Sequence, residues 1–521
     1  MRNLLDVLRS KAALALVLLG GVFAACSSDD NNDSTPPTTP GGDKNDPKVE
    51  YIGNIAHSQG ILFSEQTQLG NGDQNFVFTG KQTLKKGVYN MKGWVYIAEG
   101  AELTIEPGTI IKGDKETKAA LIVERGGKIM AQGSQSEPIV FTSEQVAGGR
   151  KPGDWGGLII CGKARNNQGS SMKIEGGPRS EHGGENDDDS SGILSYVRIE
   201  FAGYPFEKDK EINGLTLGSV GRGTKLDHIQ VSYSNDDSFE WFGGAVNSKY
   251  LVAFNGWDDD FDTDNGFSGH IQFGLIVRDP KLADVSRSNA FESDNAADGA
   301  EVSPFTRAMF SNITVIGPGT EKNRAAGFQN TTEYINGGSL YPNNGAGMGL
   351  FQSGMHIRRN SRLACYNSLF VGFPVGLILD GEKGNTVQVA KDGSLKLENI
   401  YFAGVDALGS DANKQLEDIL GVYKNGKIEY DKTKPSYSST FFSSIASNKV
   451  LAESELKLTV GKNDIGQNYI PQAGSPMLNT GSFSSIQSEF MMPVDYIGAF
   501  SGVNDTWLND WTNFNPQSTN Y

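Results

Sequence analysis

From about Val88 onward the chain is written in apolar runs of three to five residues, each closed by Gly, Pro or a charged turn. Val95-Tyr96-Ile97 gives way to Leu103-Thr104-Ile105, then Thr109-Ile110-Ile111, Leu121-Ile122-Val123 and Ile139-Val140-Phe141. Runs this short read as strands, and no Asn-Gly or Asp-Gly pair joins one to the next between Val88 and Thr142, so hairpins are not indicated. The pattern fits a solenoid whose coils each contribute three short strands. Glycine supports the same reading, at 65 of 521 residues, because a coil needs corners.

Later segments repeat a looser template that ends in aliphatic or aromatic residues and then Gly: Tyr196–Gly203, Phe310–Gly317, Cys365–Gly372 and Leu397–Gly404, with Asp227–Tyr233 a weaker copy. Asn312 and Asn399 precede the aliphatic residue, where Asn tolerates the left-handed backbone of a corner. Glu106-Pro107-Gly108-Thr109 and Pro138–Thr142 resemble the right-handed parallel β-helix proteins of the pectin-lyase-like superfamily. Gly153–Ile160, Pro471–Asn479 and Asp495–Phe500 resemble segments of Bacteroidota-type surface lipoproteins. The resemblance implies an all-β right-handed parallel β-helix over roughly residues 85–515; it implies fold more than function.

The N-terminus reads as an address. Residues 1–25 have a basic end (Arg2, Arg9, Lys11) and an apolar run, Ala12 to Ala25, too short to span a bilayer comfortably. Phe23-Ala24-Ala25-Cys26 resembles a lipoprotein lipobox, which implies cleavage before Cys26 and acylation there, with durable anchoring. Residues 26–50, polar and Pro-rich, read as a flexible tether, and their early Asp29, Asp30 and Asp33 resemble a surface-export signal. The expected address is therefore the outer membrane, facing the exterior. Cys161 and Cys365 then remain, too few for a disulfide framework, and read as core fillers.

Residues 51–85 read as an N-terminal cap, 86–500 as the β-helix and 501–521 as a C-terminal cap. Thr320–Gly354, rich in Gly and Asn, reads as a long excursion. Asp411–Tyr423, with Leu416, Ile419, Leu420 and Tyr423 on one side, reads as a short packed helix.

Chemistry concentrates between residues 185 and 300. Phe239-Glu240, Phe261-Asp262 and Phe291-Glu292 recur at offsets of 22 and 30 residues, one coil each. Stacked at the ~4.8 Å strand spacing, Glu240, Asp262 and Glu292 form a carboxylate ladder beside a column of Phe rings, with Asp264 and Asp294 as a second ladder. Like charges that close need a bound cation, buried Arg or Lys partners, or shared protons. Glu240, Asp260, Asp262, Asp264, Glu292 and Asp294 are the candidate metal ligands, and hard oxygens suit Ca²⁺. Trp241, Phe242 and Trp257 are the candidate sugar-stacking aromatics, taken as exposed beside the ladder. Asp187-Asp188-Asp189 reads as a solvated loop.

A formal charge of −16 disfavours a nucleic-acid partner. The sequence points first to a non-catalytic outer-membrane lipoprotein that binds a glycan or another nutrient, accessory to an uptake system. Two alternatives stand beside it. A polysaccharide lyase or hydrolase would draw acid and base from Asp236, Asp237, Asp259 and Asp260, with Arg278, Arg287 and His270 near in sequence. A structural or adhesive spacer would use cations only as stiffeners.

Overall fold

The computed structural model describes residues 49–521, apart from 53–54, 59–61, 63–66, 208–209, 342–343, 413–419, 425–426, 432–434 and 463–464. Cys26, the leader and nearly all of the tether lie outside the described residues.

Among the described residues two long sheets, one of 13 strands and one of 15, are parallel throughout except for the first strand pair of the smaller sheet. The chain is an all-β parallel β-helix. In the N-terminal coils the expected three strands per turn are present: Trp94–Ile97, Glu102–Ile105 and Ile110–Gly113, then Ala120–Val123, Lys128–Gln132 and Ile139–Ser143. From Gly192–Glu200 onward each coil has two. That nine-residue strand pairs with both Lys128–Gln132 and Ile139–Ser143, so two short strands have fused around a single corner residue.

The corner is Tyr196, at φ +51°. Its equivalents in successive coils are His228 (+51°), Tyr250 (+59°), Phe273 (+62°), Asn312 (+60°), Asn367 (+47°) and Asn399 (+57°). One left-handed residue bends a strand without a loop, which is why the later template is longer than the early runs. The Asn312 and Asn399 corners were legible; the aromatic ones replace Asn with residues for which this backbone is strained.

Alternation along each short strand sends one side chain into the solenoid and the next out of it. The inward positions stack as Phe239, Phe261, Phe291, Phe370 and Phe402, with ring centroids 5.2–5.6 Å apart from coil to coil. Cys161 and Cys365 are buried and free, as expected of core fillers.

The C-terminal segment does not close the solenoid's end as a cap. It runs back along the outside of the larger sheet. Ala499 N–H donates to Thr314 Oγ1, Asn513 and Gln230 exchange bonds between backbone and amide, and the Arg150 guanidinium donates to the Pro516 and Thr519 carbonyls. Apolar outward residues explain this course: Val252, Leu275, Val315's neighbour Ile316 and Leu369 bury against Met477, Ile497, Leu508 and Trp511. The last coils are instead covered by the helix Tyr437–Ser444, whose Phe442 ring lies 4.7 Å from Phe402. At the other end, Val49–Ile52 and Ile55–Ser58 form an antiparallel hairpin, and the coils begin by Gln68–Leu69, earlier than expected.

The expected helix at Asp411–Tyr423 needs correction. Residues 413–419 lie outside the described set, but Leu420–Lys424 is a strand paired antiparallel with Lys427–Asp431. The β-branched and aromatic Val422, Tyr423, Ile428 and Tyr430 favour a strand pair over the helical spacing of the preceding apolar residues.

Asn367 ties its corner to the C-terminal strap, residues 453–521. Its Oδ1 accepts from Ser482 N–H and from Asn399 Nδ2, and its Nδ2 donates to the Ser482 carbonyl. Asn367→Ala is expected to lower unfolding free energy by roughly 2–3 kcal/mol, the sum of a left-handed Ala and lost buried hydrogen bonds. Urea denaturation checks the loss, and proteolysis within residues 453–521 should accelerate with it.

Candidate functional site

The ladder forms in the register the offsets implied. Glu240 pairs with Asp262 and Asp262 with Glu292, on adjacent parallel strands, while Phe239, Phe261 and Phe291 pair one position earlier. The rung before Glu240 is Thr216, and the rung after Glu292 is His356.

The two halves of the ladder differ in charge balance. At the far half, Arg358 contacts both Glu292 and Asp294, with Nε 2.7 Å from Asp294 Oδ1, and Arg359 contacts the other Asp294 oxygen. His356 bridges Glu292 (3.1 Å) and Asp380 (3.0 Å). Burial raises the Glu292 carboxyl, but Arg358 and His356 outweigh it and hold the group at about 2. Glu292 and Asp294, expected as metal ligands, are thus already neutralised by protein cations.

The near half has no such partners. Asp237, Glu240 and Asp262 place carboxylate oxygens within 4.8 Å of one another, and Asp237 is shared with a second group of the same kind formed with Asp236 and Asp258. Among the described residues no ion pair reaches Asp237, Glu240 or Asp262. Burial, then neighbouring carboxylates, pushes all three well above the usual range, with Glu175 the first of the carboxylates acting on Glu240 and Arg358 opposing at Asp262. Burial and Asp294 push Asp264 up to about 7.

Among the described residues several hard oxygens here have no hydrogen-bond partner: Asp262 Oδ1, Asp258 Oδ1, Thr216 Oγ1 and Asn213 Oδ1. Thr216 and Asn213 are almost fully buried, at 1% and 2% exposure. Asn213 donates its amide to Glu240, which holds that carboxylate in place. The donor set fits a hard divalent cation.

Asp260 is a correction. It sits inside a buried ion pair with Arg278 at 3.0 Å, both side chains without solvent contact, and is not part of the carboxylate groups. The same guanidinium donates to the Asp258 carbonyl (2.6 Å), so the pair shapes the turn that carries Asp258 and Asp259. Asp259 Oδ2 accepts from the Asn289 amide nitrogen.

The three aromatics are also corrected: none is exposed. Trp241 follows Glu240 directly, so alternation drives it into the interior, where it stacks on Phe239. Phe242 shares the outer face but packs with Ile174, beneath the loop that also carries His182. Trp257 lies under the excursion, beside Leu282 and Leu340, and donates Nε1–H to the Gly347 carbonyl at 3.0 Å.

The other residues near the acidic stretch in sequence separate in space. His270 bonds Ser488 on the strap (2.7 Å). Asp187 is held by Arg165 and Asp188 by Arg222, which pins the Asp187–Asp189 loop. Sequence reasoning named Asp236 and Asp237 only as acid or base candidates. It passed over His356, Arg358, Arg359 and Asp380, because Glu292 and its next rung, His356, lie 64 positions apart, with the excursion between them.

The family model described as a pectate-lyase like beta helix domain matches residues 77–440, well over half of the chain. No curated protein and no solved structure matches it.

Proposed function

Because the chain belongs to the pectate-lyase-like β-helix family, we propose that the near half of its ladder is a cation-supported glycan-binding site on a lipid-anchored outer-membrane protein. The observation that carries this is the convergence of Asp237, Glu240 and Asp262 with no ion pair to any of them among the described residues, beside rungs where Arg358 and Arg359 supply one. Asp237, Glu240 and Asp262 would hold Ca²⁺, with Asp236 and Asp258 positioned for a second ion. A bound cation offers a coordination position to sugar oxygens or a uronate carboxylate. With Trp241, Phe242 and Trp257 buried, recognition rests on this polar contact and not on ring stacking. The lipobox-like Phe23–Cys26 and its acidic follower support surface anchoring, and an uptake system is the partner such a binder would serve.

A second reading has its own support. Carboxyls raised well above their usual range beside ionisable neighbours are what glycan-cleaving acid catalysts require, and Asp237, Glu240 and Asp262 have that character.

Incubating purified protein with neutral and acidic polysaccharides, with Ca²⁺ or with chelator, separates the readings by chromatography. One acidic polymer is expected to co-elute with the protein only when Ca²⁺ is present, its length unchanged. Shortened polymer that disappears in Glu240→Gln/Asp262→Asn would replace binding with catalysis. Neither retention nor shortening would leave the spacer reading.

A further inference from the structure

We propose that a second ligand site, for a small polyhydroxylated anion such as a uronic acid or a sulfated monosaccharide, lies on the larger sheet around Tyr196, Asp227, His228, Lys249 and Tyr250.

These residues line an open cavity of about 620 Å³ on the larger sheet, whereas the acidic ladder, whose strands alternate with theirs along the chain, lies on the smaller one. Its wall is built from the strained corners. In three later coils the corner residue is Asn, which suits the left-handed backbone; beside the cavity it is Tyr196, His228 and Tyr250. Bulky residues there carry a backbone cost, and such strain collects at functional positions. Their rings stack at 4.3 and 4.4 Å, with His228 between the two phenols, so the column is rigid. Packing explains rings at these corners; it does not explain an imidazole.

The imidazole is oriented. His228 Nδ1 lies 2.9 Å from Asp227 Oδ1, and Ser195 Oγ–H donates to the same oxygen at 2.6 Å. Lys225 holds the other Asp227 oxygen at 3.0 Å. These contacts keep Asp227 ionised, at about 2, with burial opposing and the His228, Ser195 and Lys225 hydrogen bonds prevailing. An acceptor-only carboxylate accepts the hydrogen bond from Nδ1–H and leaves Nε2 for a ligand. Among the described residues no hydrogen bond reaches Nε2 or the Tyr196 and Tyr250 hydroxyls.

The charge is set by Lys249. It sits one rung along from Asp227, over the Phe490 ring at 4.4 Å. Arg222 and Lys225 pair with Asp188 and Asp227, whereas among the described residues no carboxylate pairs with Lys249. An unpaired, half-buried ammonium beside hydroxyl and imidazole groups matches an anionic sugar: Lys249 takes the charged group, and His228 with the phenols takes ring hydroxyls.

Calorimetric titration of the purified protein in EDTA tests this with glucuronate, glucose 6-sulfate and glucose as probes. At least one anion is expected to bind with Kd of order 1 mM, and glucose at least ~10-fold more weakly. Binding by glucuronate alone identifies a carboxylate ligand, and by the sulfate alone a sulfated one. Lys249→Met and His228→Asn should each weaken binding at least ~10-fold at unchanged melting behaviour, Asn being the residue this corner takes elsewhere. Asp262→Asn should leave it unchanged. No binding by either anion, equal binding of glucose, wild-type binding by Lys249→Met, or loss in Asp262→Asn would each overturn the proposal.

Discussion

Arg278→Met is expected to destabilise the protein by about 3–5 kcal/mol, because it leaves the fully buried Asp260 without its cation. The guanidinium also donates to the Asp258 and Trp257 carbonyls, so the loss spreads into the turn beside the ladder. Even with Arg278 present, burial lifts the Asp260 carboxyl to about 7, which marks how little solvation it retains. Without the cation, Asp260 should fold only as the neutral acid. Asp260→Leu combined with Arg278→Met should recover much of the stability, since removing both charges removes the desolvation of each. Chemical denaturation of the two single variants and the double variant gives the coupling. A single-variant loss below about 1 kcal/mol would mean the pair is solvated after all.

The second large effect is a pH dependence that divalent cation reverses. Asp237, Glu240 and Asp262 are raised above their unfolded values, and Asp264 is raised to about 7. A raised carboxyl stabilises the fold below its unfolded pKa, and that contribution is lost as pH climbs through the folded value. In chelator the melting temperature should therefore fall from about pH 4 to above pH 7, each tenfold change in proton affinity being worth about 1.4 kcal/mol. His356, raised by Asp380 and Glu292 against burial, adds to the loss at the upper end. Glu292 runs the other way: its contribution is present above its unfolded value of 4.5 and disappears as pH falls towards 2. Ca²⁺ at 100 times its Kd should restore about 2.7 kcal/mol at pH 8 and less at pH 5, where protons compete more strongly for the raised carboxyls. Scanning calorimetry across pH, with and without Ca²⁺, reads both trends.

The solenoid was legible because its rule is local. Each short run ends in a corner residue, and offsets of 22 and 30 residues were enough to place Glu240, Asp262 and Glu292 in register. What the ladder does was less legible, because compensation comes from distant chain. Arg358 and Arg359 arrive after the excursion, and their pairing with Glu292 and Asp294 leaves Asp237, Glu240 and Asp262, at the other end, with no ion pair among the described residues. The aromatics failed for a simpler reason. A residue beside an outward Glu on a strand points inward, so Trp241 had its position set by Glu240. Trp257 is hidden by residues some 80–90 positions further on, which no local pattern reports. The C-terminal segment carried aromatics that suit a cap, yet the apolar outer face formed by residues such as Leu275 and Leu369 gave it a longer surface to cover.

The central claim is that Asp237, Glu240 and Asp262 form a cation site, and calorimetric titration of the purified protein with Ca²⁺ at pH 7.5 tests it most directly. The account predicts saturable binding of one or two ions per chain, lost in Asp237→Asn, the residue both carboxylate groups share, and retained in Asp294→Asn, which lies among the arginines. No binding, or binding that survives Asp237→Asn, would contradict it.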